Sequence, residues 1–432
     1  MLYKKGIKLV IKKSALYHYL LIYLLLLFQG SVIFKAFSDY FIVLTLILSG
    51  WFIFKTRLHG AVVDGTIIFM ISLSALLMLT IVASNGSLSP LSMLNIISRF
   101  MLVYLVYYYD KRNFCNRLVK LVTFLSIFSL IGYIFSLLNI SLVQSLLLKI
   151  NYDVNIYYWS PVFSVMSHSP ERNIGIYGEP GLHQIVINVV LFLLLFYDKE
   201  ELQLNSSTRI RCTIIMLLTL MVTQSTTGFI SGIILITGYL LQKKDVEKRR
   251  INKVLIGGII LLVLSVAYQG TNSFIYSSFI NKVSNSQGQV DLNVSSGKAR
   301  TVSMEADLQI ASIYPLGAGF EIYQNEWKNH LNEFIGDSSS PVGLTKSLAI
   351  IGVPATLMIM WFYVRIGWKN RKSFIAYLVY LCMFINTSLA QPAIWFPILM
   401  VVPLIVNSKI ISVKDYKPQM NDRELIGGIK CK

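Results

Sequence analysis

Charge is what this sequence has least of. Of 432 residues, 14% are Asp, Glu, Lys or Arg and 55% are hydrophobic, whereas a soluble domain carries about a quarter charged residues. That excludes an ordinary water-soluble enzyme. Cysteine is scarce as well. Cys115, Cys212, Cys382 and Cys431 all fall within a span or near the side expected to face the cytoplasm, so no external disulfide is available. His168, His183 and Glu179 are the nearest thing to a metal-ligand set, and they lack a recognisable ligand spacing; neither metal nor cofactor is expected. There is no internal repeat and no low-complexity tract. No small-residue cleavage site follows the basic stretch MLYKKGIKLVIKKS, which is expected to lead into a retained first helix.

What the sequence does have is long apolar runs from end to end, with a mean hydropathy of +0.62. A helix needs about 20 apolar residues to cross a bilayer. The expected fold is therefore an all-α polytopic integral membrane protein of about 12 transmembrane helices. The spans are read as 15–34, 37–54, 61–83, 91–109, 118–138, 182–197, 212–226, 228–241, 254–269, 345–364, 373–390 and 393–408. The short neighbours 212–226 and 228–241 read equally as two tight helices or one broken helix.

The net charge of +18 would suit nucleic acid, but its distribution does not. The basic residues sit in short clusters between apolar runs, such as Lys4 to Lys13, Lys111 to Lys120, Lys243 to Lys253 and Arg365 to Lys372. These clusters fall in alternate connections, the positive-inside pattern. Both termini are thus expected in the cytoplasm of a bacterium, in its cytoplasmic (inner) membrane. Five helices (1–138) precede a first long external loop (139–181). Helices six to nine (182–269) precede a second one (270–344). Three helices (345–408) and a cytoplasmic tail (409–432) complete the chain. Long loops are where function concentrates.

The first loop ends in ERNIGIYGEPGLHQ, Glu171 to Gln184. Arg172 reads as a headgroup anchor or as an anion site, since guanidinium matches phosphate oxygens. Glu179 is held in a Gly-Glu-Pro-Gly turn, with Pro180 or Gly181 starting the next helix. It reads as a helix-dipole cap or as a general base at the membrane interface. His183 reads as a packed or capping residue. Tyr152, Tyr157, Tyr158 and Trp159 read as an interfacial aromatic belt.

In the second loop, Ser295 to Gln324 reads as an amphipathic helix followed by a Pro-Leu-Gly-Ala-Gly turn. Glu305, Glu321 and Glu326 read as a solvated face. Arg300, His330 and Asp337 are the candidates there, Asp337 opening a Ser-rich turn just before the next span. Arg99 lies within a span, about 14 Å below Pro90 at 1.5 Å per residue. At such depth it must face protein, water or an anionic ligand.

These residues carry a resemblance. RNIGIYGEPGLHQIVINVVLFLLL resembles the Arg…Gly…Glu-Pro segment of Wzy-type polymerases, which join O-antigen or capsule repeat units. LTLMVTQSTTGFISGIIL is similar to their Ser/Thr-rich span pair, without its usual arginine. SGKARTVSMEADLQIASIYPLGAGFEIY…DSSSPVGLTKSLAIIGV resembles the segment shared by polymerases and O-antigen ligases, with Asp337-Ser338 where ligases carry His-Asn. Together these cover roughly Arg172 to Val353.

The resemblance implies a GT-C-like glycosyltransferase at the outer leaflet. Its donor and acceptor would be undecaprenyl-diphosphate-linked oligosaccharides, with membrane lipid and a chain-length regulator protein as further partners and no nucleic acid. Arg172, Arg300 and Arg99 would bind the diphosphate. Glu179, Asp337 and His330 would serve the acceptor hydroxyl. Two other readings stand beside it: an O-antigen ligase, disfavoured by the missing His-Asn pair, and a non-enzymatic lipid-linked oligosaccharide flippase, disfavoured by the long second loop.

Overall fold

The structure is a computed structural model, and it describes residues 13–56, 65–110, 112–152, 155–197, 202–241, 295–331, 340–369, 374–391 and 394–405. Most of these are helical. In chain order the helices are α1 (Lys13–Leu27), α2 (Val32–Ala36), α3 (Ser38–Thr56), α4 (Gly65–Ala83), α5 (Pro90–Tyr109), α6 (Phe114–Leu138), α7 (Ile140–Leu146), α8 (Pro180–Phe196), α9 (Ser206–Val222) and α10 (Thr226–Leu241). They continue with α11 (Ser295–Ile313), α12 (Gly319–Leu331), α13 (Gly343–Lys369) and α14 (Phe374–Ser388), and 397–405 is helical as well. Among the described residues, four helices are long and apolar enough to cross a membrane: Thr66–Ala83, Pro90–Tyr109, Phe114–Leu138 and Gly343–Val364. Five shorter apolar helices stand beside these in the chain, among them Pro180–Phe196, which packs on α6, and Thr226–Leu241, which packs on α8, α9 and α14. The expected span 254–269 lies outside the described residues.

Several helix bounds follow from chemistry that can be read locally. Pro90 stands at the start of α5 and Ser89 caps it, accepting from Ser92 N–H at 3.1 Å, so the expected 91–109 is met almost residue for residue. Other bounds differ. α9 begins six residues before the expected 212–226. Its polar first turn, Ser-Ser-Thr-Arg, is capped by Asn205, which accepts from Thr208 N–H at 2.7 Å. The apolar window misses that polar turn. The expected span 15–34 is also cut short. α1 stops at Leu27, Gly30 takes a φ of +96°, and the short α2 follows. The doubtful pair resolves into two helices, α9 and α10, joined by a turn at Gln224 with φ +51°.

The first loop departs from an all-helical reading. It folds into a three-stranded antiparallel sheet of β1 (Leu148–Tyr152), β2 (Asn155–Trp159) and β3 (Ser164–Met166) in the order β1-β2-β3. Tyr157 is not part of an aromatic belt. It is 2% exposed and forms a small core with Val32, Ile150, Met166 and Ile174 beneath the sheet. Strand alternation points it inward while Tyr158 faces away.

Backbone hydrogen bonds tie several connections together at one end of the bundle, the loop end. At this loop end, Val32 N–H bonds the Ile176 carbonyl, Asn173 N–H bonds that of Val222, and Phe320 N–H bonds that of Ser87. At the opposite end, Arg117 bonds Asp110 at 2.5 Å. There, Arg209 also caps the last carbonyls of α8, those of Leu194 and Leu195.

Candidate functional site

Among the described residues, two buried non-helical segments on the loop end carry or adjoin the sequence candidates. The first is the Arg172-to-Gly181 segment. Asn173, Ile174, Ile176 and Tyr177 are at most 4% exposed. Asn173 Nδ2 donates to Ser129 Oγ at 3.2 Å, nine residues and so about 13 Å below the end of α6. Backbone at such depth must find partners within the protein, and it does. Gly175 N–H donates to Asn173 Oδ1 at 2.9 Å and Gly178 N–H to the Gly30 carbonyl at 3.3 Å. The Gly175 carbonyl accepts from Ser164. His183 packs here as expected, 4% exposed, with its ring 5.7 Å from that of Tyr177.

This buried segment delivers Arg172 and Glu179 to the loop end. Arg172 Nη2 donates to the Gln224 carbonyl at 3.3 Å, and Gln224 Nε2 returns a bond to the Glu171 carbonyl at 2.7 Å. The α9–α10 turn, which lacks an arginine of its own, is thus reached by Arg172. The Nε of Arg172 is buried without a hydrogen-bond partner. Burial pulls its pKa below that of an ordinary arginine, opposed by the charges of Glu171 and Glu179.

Glu179 occupies the N-cap position of α8, with Pro180 in the first turn, as expected. Its side chain makes no capping hydrogen bond. The carboxylate turns instead to Lys35, with Oε1 3.1 Å from Nζ; the two side chains are 47% and 21% exposed. Burial works against the Lys35 ammonium. The charge and hydrogen bond of Glu179 outweigh it, so the net shift is upward from the ordinary lysine value. The Lys35 ammonium also lies 5.8 Å from the Tyr152 ring. A third cation, Lys346 in the first turn of α13, is 9% exposed and within electrostatic reach of both Glu179 and Asp307.

The second intrusion is the Pro315-Leu316-Gly317-Ala318-Gly319 turn. It enters a break in α13 at Gly352, where φ is +84°. Ala318 N–H bonds the Ala349 carbonyl at 2.8 Å and Val353 N–H that of Pro315 at 2.9 Å. Thr80 of α4 closes the junction by donating to the Leu316 and Ile351 carbonyls at 2.7 and 3.0 Å. Beside it, Asp307 is fully buried and accepts from Tyr323 Oη at 2.8 Å and from Thr345 Oγ1 at 2.7 Å. This network ties α11, α12 and α13 together.

The sequence candidates therefore separate. Arg172 and Glu179 share one site. Arg300 is half-buried on α11, two turns from Asp307, and burial lowers its pKa. Arg99 is 8% exposed, bonded to Asn95 Oδ1 at 3.1 Å, and stacked 4.9 Å from the Phe34 ring. Its surroundings are protein, one residue along α2 from Lys35. Among the described residues, no carboxylate lies within 4.0 Å of any of these three arginines. His330 falls near the end of α12, its side chain outside the described residues, as is Asp337 altogether. Glu305 and Glu321 lie on the exposed face as expected.

Lys35, Lys346 and Asp307 were not singled out by sequence reasoning. A lysine in the first turn of an apolar span, and another between two apolar runs on the cation-poor side, are the signals that mark the first two. Neither a family model nor a curated protein matches the chain.

Proposed function

We propose that the protein is a surface-polysaccharide (O-antigen type) polymerase. It joins undecaprenyl-diphosphate-linked oligosaccharide repeat units at the outer face of a bacterial cytoplasmic membrane. The observation that carries the reading is the buried Arg172-to-Gly181 segment. It brings one guanidinium and one carboxylate to the same end of an apolar bundle, beside Lys35 and Lys346. A guanidinium and an ammonium at that end suit an anionic leaving group.

In this scheme the oxygen of an acceptor hydroxyl forms the new bond to the donor's anomeric carbon. The bond from that carbon to the diphosphate oxygen breaks, and its electron pair leaves with undecaprenyl diphosphate. The hydroxyl proton passes to Glu179, which also orients the attacking oxygen. Arg172 meets the developing charge on the diphosphate, with Arg300 and Arg99 as further diphosphate contacts. Asp337 and His330 are the other candidates for the acceptor side.

The test is surface-polysaccharide length in a deletion strain complemented with wild type, Arg172→Ala or Glu179→Gln at equal membrane expression. The expected result is single repeat units on the deletion strain and no restored ladder with either variant. Loss of all surface polysaccharide, with lipid-linked units accumulating inside, identifies a flippase instead. Full-length free polymer that is never attached identifies a ligase.

A further inference from the structure

Glu179 is the best-placed base at the site, yet its carboxylate is occupied. Lys35 Nζ sits 3.1 Å from Oε1. The lysine is held at the far end of a flexible stem, with its ammonium 5.8 Å from the Tyr152 ring and packed over Gly178. A β-carbon on Gly178 would stand 2.9 Å from Lys35 Nζ. The glycine thus leaves the space that the ammonium fills. Two further cations stand within electrostatic reach of the same carboxylate, Arg172 and Lys346. Arg172 is shared with Glu171 and Lys346 with Asp307, so Lys35 is the cation in direct contact with Glu179, and the carboxylate is half-exposed.

We propose that Lys35 is an exchangeable partner: in the free protein it pairs with Glu179, and on donor binding it transfers to the diphosphate, which frees Glu179 for the acceptor hydroxyl. This deepens the polymerase reading and rests on it. A diphosphate diester carries two negative charges where the carboxylate carries one, so it competes well for an ammonium that can swing to it. Removal of Lys35 leaves Arg172 and Lys346 to accompany Glu179, so the carboxylate does not become an isolated anion. The order of events follows: donor first, acceptor second. No bond is made or broken in the exchange.

Opposite shifts in the affinity of two variants test the exchange. Inorganic pyrophosphate is titrated into detergent-solubilised full-length protein, with orthophosphate as the comparison ion. If Glu179 competes for Lys35, Glu179→Gln binds pyrophosphate more tightly, by about three- to tenfold. Lys35→Met binds it more weakly, and Lys35→Arg retains binding. If Lys35→Met fails to fold, the direction of the Glu179→Gln shift decides. Unchanged or weaker binding by Glu179→Gln overturns the exchange, since a merely structural pair would give that result. Equal affinity for orthophosphate overturns the diphosphate assignment. A polysaccharide ladder that persists in the deletion strain sinks the polymerase reading itself, and pyrophosphate titration reads the exchange separately from it.

Discussion

The two intrusions of non-helical backbone at the loop end are built to opposite specifications. The Pro315-to-Gly319 turn is locked into the break of α13 by backbone against backbone. Its neighbouring carboxylate, Asp307, is fully buried and saturated by hydroxyl donors. The Arg172-to-Gly181 segment is just as deeply buried through its middle, but its charged ends stay open. Arg172 has an unpartnered Nε, and Glu179 is half-exposed and paired with Lys35. Polar groups that only hold a fold together are satisfied where they stand. An ion pair that stays half-exposed at the end of a buried segment is a candidate ligand contact. We therefore read the Pro315-to-Gly319 turn as architecture and the Arg172-to-Gly181 segment as the candidate site.

Breaking the architectural member should give the largest loss of stability. Gly317 has φ +100°, and a β-carbon there would meet the Ile350 carbonyl oxygen at 2.6 Å. Left-handed backbone and a backbone clash together are expected to cost Gly317→Ala about 3 kcal/mol or more. Thermal unfolding in detergent measures this. A midpoint equal to wild type would show that the turn and the α13 break are not locked. Any loss of polysaccharide in this variant should track loss of folded protein in the membrane.

A smaller effect is expected at Asp307, and it depends on pH. Burial holds this carboxyl above its ordinary value of 3.8, partly opposed by Thr345, Tyr323, Ser340 and the charge of Lys346. A raised folded-state pKa contributes stability that is fully present below the unfolded value and lost as pH rises through the folded one. Asp307→Asn removes that titration and disturbs hydrogen bonds worth about 1–2 kcal/mol. The wild type's margin over the variant is expected to be largest below pH 3.8 and to shrink as pH rises past it. Melting midpoints across that range read it directly, and a margin that widens with pH would contradict the assignment.

How much of this was legible follows from where the determinants lie. α5 could be read almost to the residue because Ser89 and Pro90 fix its start locally. The Glu179-Pro180 junction was legible for the same reason. The end of α1 at Leu27 was not. Hydropathy runs on to Phe34, and the break is stabilised by partners far along the chain, the Ile176 and Gly178 backbone. The β-sheet is equally hidden, because its inward face is five scattered residues, among them Val32 from another segment. Arg172 and Glu179 were visible as charges beside a membrane helix. Lys35 was not, because only the tertiary fold carries α2 over to Gly178. Asp307 sat among solvated neighbours on the same helix. Glu305, two residues before it, is exposed, and burial alone separates them.

The smallest expected change in stability is also the sharpest test of the comparison. Gly178→Ala removes no charge and no hydrogen-bonding group. The three atoms nearest to its new methyl all belong to the flexible side chain of Lys35, with Nζ, Cε and Cδ at 2.9, 3.0 and 3.2 Å. The stem can swing aside, so unfolding should stay within about 0.5 kcal/mol of wild type. The ammonium cannot keep its place over Glu179 at the same time. If the segment is a site whose chemistry depends on where Lys35 stands, this methyl should shorten the polysaccharide ladder and alter pyrophosphate affinity while the protein remains fully folded. If the segment is architecture like the Pro315-to-Gly319 turn, function should follow stability, and a variant as stable as wild type should restore a full ladder.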